Sequence, residues 1–235
     1  MRPGPRLTMA EEKQYNLPIE VKPMYKTVFF DFDGTVFDTG PGVMNSVAYA
    51  AEAFGYPPAD EATLRSFVGP PLKEQFMRVF GADEPTALAM VDKYRERYRG
   101  VGLTECAPYP GVAELAYALR AAGVNVAVAT GKPTPFTKQI LESHHMLDAF
   151  DTVLGSEFDG TRSQKWEVVA ELLERYGGDG AVMVGDRDND VLGAGKCAVP
   201  CIGVSWGYAR PGELLSAGAI CVVDNAEELK NILLG

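Results

Sequence analysis

Cysteine, positive charge and long apolar runs are all scarce in this 235-residue chain, and each shortage excludes a class of function. Four cysteines, Cys106, Cys197, Cys201 and Cys221, are too few and too scattered for a disulfide framework in a chain of this size. Cys197 and Cys201 stand four apart, but no second ligand pair accompanies them, which argues against zinc and for free thiols. No apolar run approaches the roughly 18 residues of a membrane-spanning helix. The segment before Val28 carries charges and prolines but no apolar stretch of the secretory type, so a cytoplasmic protein is expected. With 22 Lys and Arg against 32 Asp and Glu, the net charge is −10, and no broad basic surface is left to hold a nucleic acid backbone. Repeats and low-complexity tracts are also missing.

What is present is an ordinary globular composition, 46% hydrophobic and 23% charged, long enough for one large domain or a core with a smaller module. Residues 1–23 hold Pro3, Pro5, Pro18 and Pro23 without usable periodicity and read as a flexible extension, with Met9 and Met24 as alternative starts. From Tyr25 onward short apolar strands, near 26–30, 124–129, 151–154, 181–185, 201–204 and 220–223, alternate with amphipathic helices. That alternation predicts an α/β fold with a Rossmann-like, doubly wound parallel sheet.

Between Thr39 and Cys106 the strand pattern lapses. Val43, Val47, Ala50, Ala51 and Phe54 mark one helical face, and Leu88, Val91, Tyr94 and Tyr98 mark another. An inserted all-helical block is expected at 39–107, with connectors near Phe37 to Gly42 and Cys106 to Gly111, and with 24–38 and 108–235 forming the core. Insertions of this length are more often functional than mere packing.

The chemistry concentrates in Asp31-Phe32-Asp33-Gly34-Thr35, directly after the run Thr27 to Phe30. Two carboxylates two residues apart at a strand end, followed by a Gly turn, set a nucleophile beside an acid/base partner. An Asx turn is the bland alternative for a single Asp-Gly pair, but two buried Asp flanking an aromatic are costly without a cation. Thr130 closes the second strand, and Gly185-Asp186-Arg187-Asp188-Asn189-Asp190 closes the fourth. Ligands of doubly wound sheets bind beyond the carboxyl ends of the strands, so these groups share one crevice. Asp186 and Asp190 face one point if the strand turns into a helix there, although an Asp-rich turn also caps helices. Lys165 opens the helical stretch Gln164 to Tyr176, where the helix dipole disfavours a cation by a few tenths of a kcal/mol, which suggests an anionic partner. Lys138 reads as a surface charge; Lys132 either reaches the substrate or stays in solvent. His144 and His145 fall late in a helix, away from strand ends, and Trp206 reads as core or crevice-wall packing.

Four signals in this order resemble the haloacid dehalogenase superfamily, whose first motif is Asp-x-Asp-Gly-Thr/Val. Over residues 26–232 the chain is similar to the phosphoglycolate phosphatase-like group, and Phe67-Val68-Gly69-Pro70-Pro71-Leu72 resembles cap sequences there. The resemblance implies Asp31 as nucleophile, Asp33 as general acid/base, and Thr130, the Gly131 amide and Lys165 around the phosphoryl oxygens. It implies Mg²⁺ held by Asp31, the backbone carbonyl of Asp33, Asp186 and Asp190. Arg65, Lys73 and the Gly69-Pro70-Pro71 turn are cap candidates for the leaving group, with Lys132 a further substrate contact. The expected function is a Mg²⁺-dependent phosphomonoester hydrolase of the phosphoglycolate phosphatase type, acting on a small phosphorylated metabolite as a monomer or homodimer. The alternatives are a 5'-nucleotidase or inorganic pyrophosphatase, then a phosphomutase or a silent binding module. Phosphonatase chemistry needs a cap Schiff-base lysine, and only Lys73 and Lys93 are available.

Overall fold

The computed structural model describes residues 24–235; the extension expected at 1–23 lies outside them. Six strands form one parallel sheet: β1 (Thr27–Phe30), β4 (Asn125–Pro133), β5 (Thr152–Ser156), β6 (Ala181–Gly185), β7 (Cys201–Val204) and β8 (Cys221–Val223). Their spatial order is β5-β4-β1-β6-β7-β8. The chain starts at the centre, winds outward through β4 to β5, and returns to the other side of β1 at β6, so the winding direction reverses between β1 and β6. This is the doubly wound, Rossmann-like arrangement, and it puts the ligand crevice at the carboxyl ends of β1 and β6.

The strands read as continuous apolar runs because both faces are covered. Val28, Phe30, Val126, Val128, Val182 and Val184 join one core cluster with Leu115, Ile140 and Leu229. Those last three come from α5 (Val112–Ala121), α6 (Thr134–Ser143) and α10 (Ala226–Leu234). Phe29, Ala127, Ala129 and Met183 point the other way, onto α7 (Lys165–Tyr176), α8 (Asp188–Lys196) and α9 (Glu213–Ala217). Full burial of each large β1 side chain contributes about 1.5–3 kcal/mol. Three central strands, β1, β4 and β6, carry motif residues at their carboxyl ends, so the core positions the crevice.

The connectors form a small feature that the sequence reading did not contain: β2 (Phe37–Asp38) pairs antiparallel with β3 (Ala107–Pro108). Between them lie four α-helices, α1 (Gly40–Ala53), α2 (Glu61–Arg65), α3 (Leu72–Phe80) and α4 (Glu84–Gly100), and a short 3-10 turn at Gly102–Thr104. Asp60 and Asp83 start α2 and α4 by accepting from the backbone N–H of Thr63 and Thr86 at 2.7 and 2.9 Å. Val43, Val47, Ala50, Ala51, Val91, Tyr94 and Tyr98 are buried as their spacing predicts. Phe54 and Leu88 are exposed instead: Phe54 falls on the residue that ends α1, and Leu88 faces an open cleft between this block and the sheet.

Candidate active site

Asp31 leaves β1 at its carboxyl end, its backbone N–H still donating to Val184 O of β6 at 2.8 Å. The side chain is buried, and its Oδ1 accepts from Lys165 Nζ at 2.6 Å. Lys165 occupies the first position of α7 behind a Gln164–Glu167 capping box, and its ammonium also reaches Ala129 O at 2.9 Å and Asp190 Oδ1 at 2.8 Å. Burial pushes that ammonium towards the neutral form, but the Asp190 and Asp31 charges outweigh it and hold its pKa above the ordinary lysine value.

Asp31, Asp186 and Asp190 each offer an oxygen within 4.8 Å of the others, and all three are buried. Asp188 is the neighbour that the cluster leaves out; its backbone N–H binds Glu213. Burial, and next the Asp190 charge, push the Asp31 carboxyl up to about 7 against the pull of Lys165. Burial followed by Asp190 and Asp31 raises Asp186 well above the carboxylate range. Three carboxylates so close resist ionising together. Asp186 Oδ2 accepts the Tyr208 backbone N–H at 2.7 Å, while Oδ1 receives only a long contact from Thr35 Oγ1 at 3.4 Å. Asp190 Oδ2 accepts the Arg187 N–H at 3.0 Å, and its Oδ1, although ion-paired to Lys165, is buried without a well-aligned hydrogen bond among the described residues. A compact set of hard oxygen donors with unfilled acceptor capacity fits a divalent cation.

The second motif carboxylate faces the other side. Asp33 Oδ1 accepts from Thr39 Oγ1 at 2.5 Å and from Lys132 Nζ at 2.8 Å. Lys132 is buried, resting 4.7 Å over the Tyr98 ring, so of its two expected settings the solvent one is excluded. It gets there because β4 runs on past Ala129 to Pro133, with a register break that bulges Thr130, Gly131 and Lys132 out of the ladder. Thr130 Oγ1 accepts the Lys132 N–H at 3.1 Å, and Gly131 O accepts from Ser156 Oγ at 2.7 Å.

A cleft of about 760 Å³ opens from this point between the sheet and the helical block. Asp33, Gly131, Lys132 and Lys165 line its floor, and Phe67, Tyr94, Tyr98, Phe136 and Phe158 line its walls. Lys73 also lines it, ion-paired to Glu84 at 2.9 Å. Arg65 is not brought to the cleft; its guanidinium lies 4.7 Å over the Tyr208 ring. Trp206 does not wall the cleft either, because its indole N–H donates to Thr35 O at 3.1 Å and its ring packs on Tyr109. His144 ends α6 as expected, yet it touches the connector, edge-on to Phe37 with 5.0 Å between ring centroids.

Several residues here escaped the sequence reading. Thr39 stands at the helix-capping position of α1 but does not cap it, its hydroxyl being taken by Asp33. Arg187 is buried within the fourth motif, bonded to Val68 O at 2.7 Å and Glu213 Oε1 at 2.8 Å. Asn189, beside it, lines the cleft with its Oδ1 buried and unpartnered among the described residues. Thr39 had a local signal, a capping residue before Gly-Pro; the contacts of Arg187 reach 119 residues back to Val68 and 26 forward to Glu213 and leave no local trace.

Known proteins share this fold and much of this sequence. A 5'-nucleotidase of Pseudomonas aeruginosa is 40% identical over 192 residues, 81% of this chain and 87% of its own. A phosphoglycolate phosphatase of Caulobacter vibrioides is 32% identical over 202 residues, 83% of this chain and 85% of its own. The crystal structure of a predicted phosphatase from Clostridium acetobutylicum superposes with a TM-score of 0.85 at 40% identity, covering 88% of this chain and 97% of that one. A match to the haloacid dehalogenase-like hydrolases spans residues 28–204, from β1 to β7, so all four motifs fall inside it and the chain belongs to that family.

Proposed function

We propose that this hydrolase is a Mg²⁺-dependent phosphomonoesterase that works through a covalent aspartyl phosphate on Asp31. One observation carries the reading: at the point where the sheet reverses, Asp31 is held by Lys165 and shares its crevice with Asp186 and Asp190. An Asp31 oxygen attacks phosphorus while the bond to the leaving oxygen breaks, and Asp33 gives that oxygen its proton. Water then attacks the same phosphorus, Asp33 takes its proton, and the bond to Asp31 breaks to release phosphate. Thr130 and the Gly131 amide hold phosphoryl oxygens, and Lys165 offsets their charge. The metal, on Asp31, the Asp33 carbonyl, Asp186 and Asp190, supplies neutralisation of the phosphoryl charge.

Residues 39–107 act as a cap over 24–38 and 108–235, opening for entry and closing to exclude water. The cytoplasmic setting and the monomeric or homodimeric state belong to the same proposal; among the described residues, no helix is long and apolar enough to cross a membrane.

The cleft favours a second reading of the substrate, a nucleoside monophosphate in place of phosphoglycolate. A carboxylate-bearing substrate calls for a cap cation; of the two expected, Lys73 is paired and Arg65 lies outside the cleft, which leaves Arg95 of α4, on the cleft wall 3.6 Å from Asp92. Aromatic walls around about 760 Å³ suit a flat, bulky leaving group better than a two-carbon acid. The relative named 5'-nucleotidase supports the same direction. Phosphate release with Mg²⁺ from phosphoglycolate, nucleoside monophosphates, pyrophosphate, sugar phosphates and p-nitrophenyl phosphate, with Asp31→Asn as control, tests both readings. No release from any ester overturns the first, and a phosphoglycolate preference of about tenfold or more overturns the second.

A further inference from the structure

One short loop after β7, Trp206-Gly207-Tyr208, lies between Asp186 and the connectors of the helical block. Its contacts on the two sides are of different kinds. Towards the carboxylate cluster, the Tyr208 backbone N–H donates to Asp186 Oδ2 at 2.7 Å. Trp206 holds the carbonyl of Thr35, the residue whose hydroxyl approaches the other Asp186 oxygen. Gly207 is pressed between Asp186 and Gly34 O, with no room for a Cβ.

Towards the connectors, the buried Tyr208 phenol donates to Asp38 Oδ1 on β2 and accepts the backbone N–H of Gly40, the first residue of α1, at 3.0 Å. Its ring carries the Arg65 guanidinium of α2 at 4.7 Å. Gly40 has no space for a side chain, because a Cβ there would overlap the phenol oxygen. Tyr208 therefore grips β2, α1 and α2 with its side chain while its backbone holds Asp186.

We propose that Tyr208 is a positioning residue that couples the connector of the helical block to Asp186, so that divalent-cation binding and closure of the block favour each other. The inference rests on the metal reading above. A rigid aromatic side chain with two rotatable bonds transmits displacement better than a flexible one. If Asp38 and Gly40 move as the block opens, the phenol loses two hydrogen bonds and an aromatic–cation contact, and the loop holding Asp186 loses its outer anchor. Linkage requires the converse: a cation that fixes Asp186 also favours the gripped state of the connector, by the same factor.

The test combines calorimetric Mg²⁺ titration with hydrogen exchange of peptides covering residues 35–42 and 105–110, each with and without Mg²⁺, for the whole protein and for Tyr208→Phe. The substitution removes the phenol bonds and keeps both the ring over which Arg65 lies and the N–H to Asp186. In the wild type, Mg²⁺ slows connector exchange; in Tyr208→Phe, Mg²⁺ still binds within about threefold while that slowing falls by half or more. A merely structural phenol would shift exchange equally with and without the cation, leaving the Mg²⁺-dependent difference intact, and that result overturns the coupling. Mg²⁺ binding to the wild type with no change in connector exchange also overturns it, while the metal reading survives. Absence of any Mg²⁺ binding overturns both. Asp38→Ala, which removes the same link from the other end, reproduces the Tyr208→Phe behaviour if the proposal holds.

Discussion

Lys132 Nζ lies 2.8 Å from Asp33 Oδ1, and both side chains are buried at the floor of the cleft. Asp31, Asp33, Asp186 and Asp190 bring four carboxylates to this region, and Lys165 and Lys132 bring two ammonium groups. If all are ionised, two negative charges remain, which is the deficit a divalent cation fills. Lys132 thus belongs to the charge balance of the proposed chemistry as well as to the floor that a substrate would meet.

Replacing Lys132 by Met should leave Asp33 with Thr39 alone and cost about 3 kcal/mol of stability, as for other broken buried pairs. The larger consequence is kinetic: kcat falls roughly 10²-fold with alkyl monoesters, whose leaving oxygen needs the Asp33 proton. With p-nitrophenyl phosphate, whose leaving group departs unprotonated, phosphorylation of Asp31 slows several-fold at most, while the later attack of water, which Asp33 assists for every ester, slows equally for both. Thermal denaturation and rapid-quench measurement of phosphoenzyme formation check both parts; equal losses in the phosphorylation step on the two esters would contradict a role through Asp33.

Asp31→Asn and Asp33→Asn separate the two motif carboxylates. Asp31→Asn abolishes turnover of every ester, since the amide cannot form the acyl phosphate. Asp33→Asn loses about 10²–10⁴-fold on alkyl esters, with slow release of phosphate from Asp31 after it has formed. Rapid-quench trapping of protein-bound phosphate in Asp33→Asn, absent from Asp31→Asn, is the expected outcome.

The sheet and the positions of the motif residues were legible in the sequence for one reason: parallel strands buried on both faces read as plain apolar runs, and the motif residues stand where those runs stop. β6 and β7 match their expected spans residue for residue, and β1 and β8 fall one residue short of theirs. β5 starts one residue later and ends two residues later than expected, and β4 departs furthest, because its bulge lets the strand continue through Thr130 to Pro133 and turns Lys132 inward. Partners made across the fold were not legible. Nothing around Tyr208 announces that its phenol meets Asp38, 170 residues away, and nothing around Arg65 announces that its charge is spent on Tyr208.

Glu213 links the fourth motif to the helical block at one remove, through Arg187 and from there to Val68 O. Burial tends to raise its carboxyl, but hydrogen bonds from Arg187 and the Arg210 backbone outweigh it and hold the pKa down to about 2, against an ordinary 4.5. A depressed carboxylate contributes stability that is full above its unfolded value and is lost as pH falls towards its folded one. The protein should therefore lose thermal stability as pH drops from 4.5 towards about 2, and Glu213→Gln should flatten that part of the profile. At neutral pH the same variant is less stable by about 2–3 kcal/mol, the scale of lost hydrogen bonds to a charged partner. Melting temperatures of both proteins across the acid range test the sign; an identical acid slope would contradict it.

Two glycines frame Asp186 so closely that each substitution has a specific expected result. A Cβ on Gly34, which also sits at φ +85°, would overlap the Asp186 carboxylate, and a Cβ on Gly207 would strike both that carboxylate and Gly34 O. Gly34→Ala combines the collision with a left-handed backbone that L side chains rarely adopt, so it should lower stability as well as activity. Gly207→Ala carries no such φ penalty, but its Cβ meets the backbone carbonyl of Gly34 as well as Asp186, so both must shift. The variant should fold with a metal-free melting temperature several degrees below the parent. Its Mg²⁺ affinity should fall by about 10²-fold, the upper range for disturbed metal surroundings. Calorimetric titration beside a metal-free melting curve measures the two separately. Unchanged Mg²⁺ affinity in a folded Gly207→Ala protein would mean that Asp186 is not a ligand, and would move the cation site away from the carboxyl end of β6.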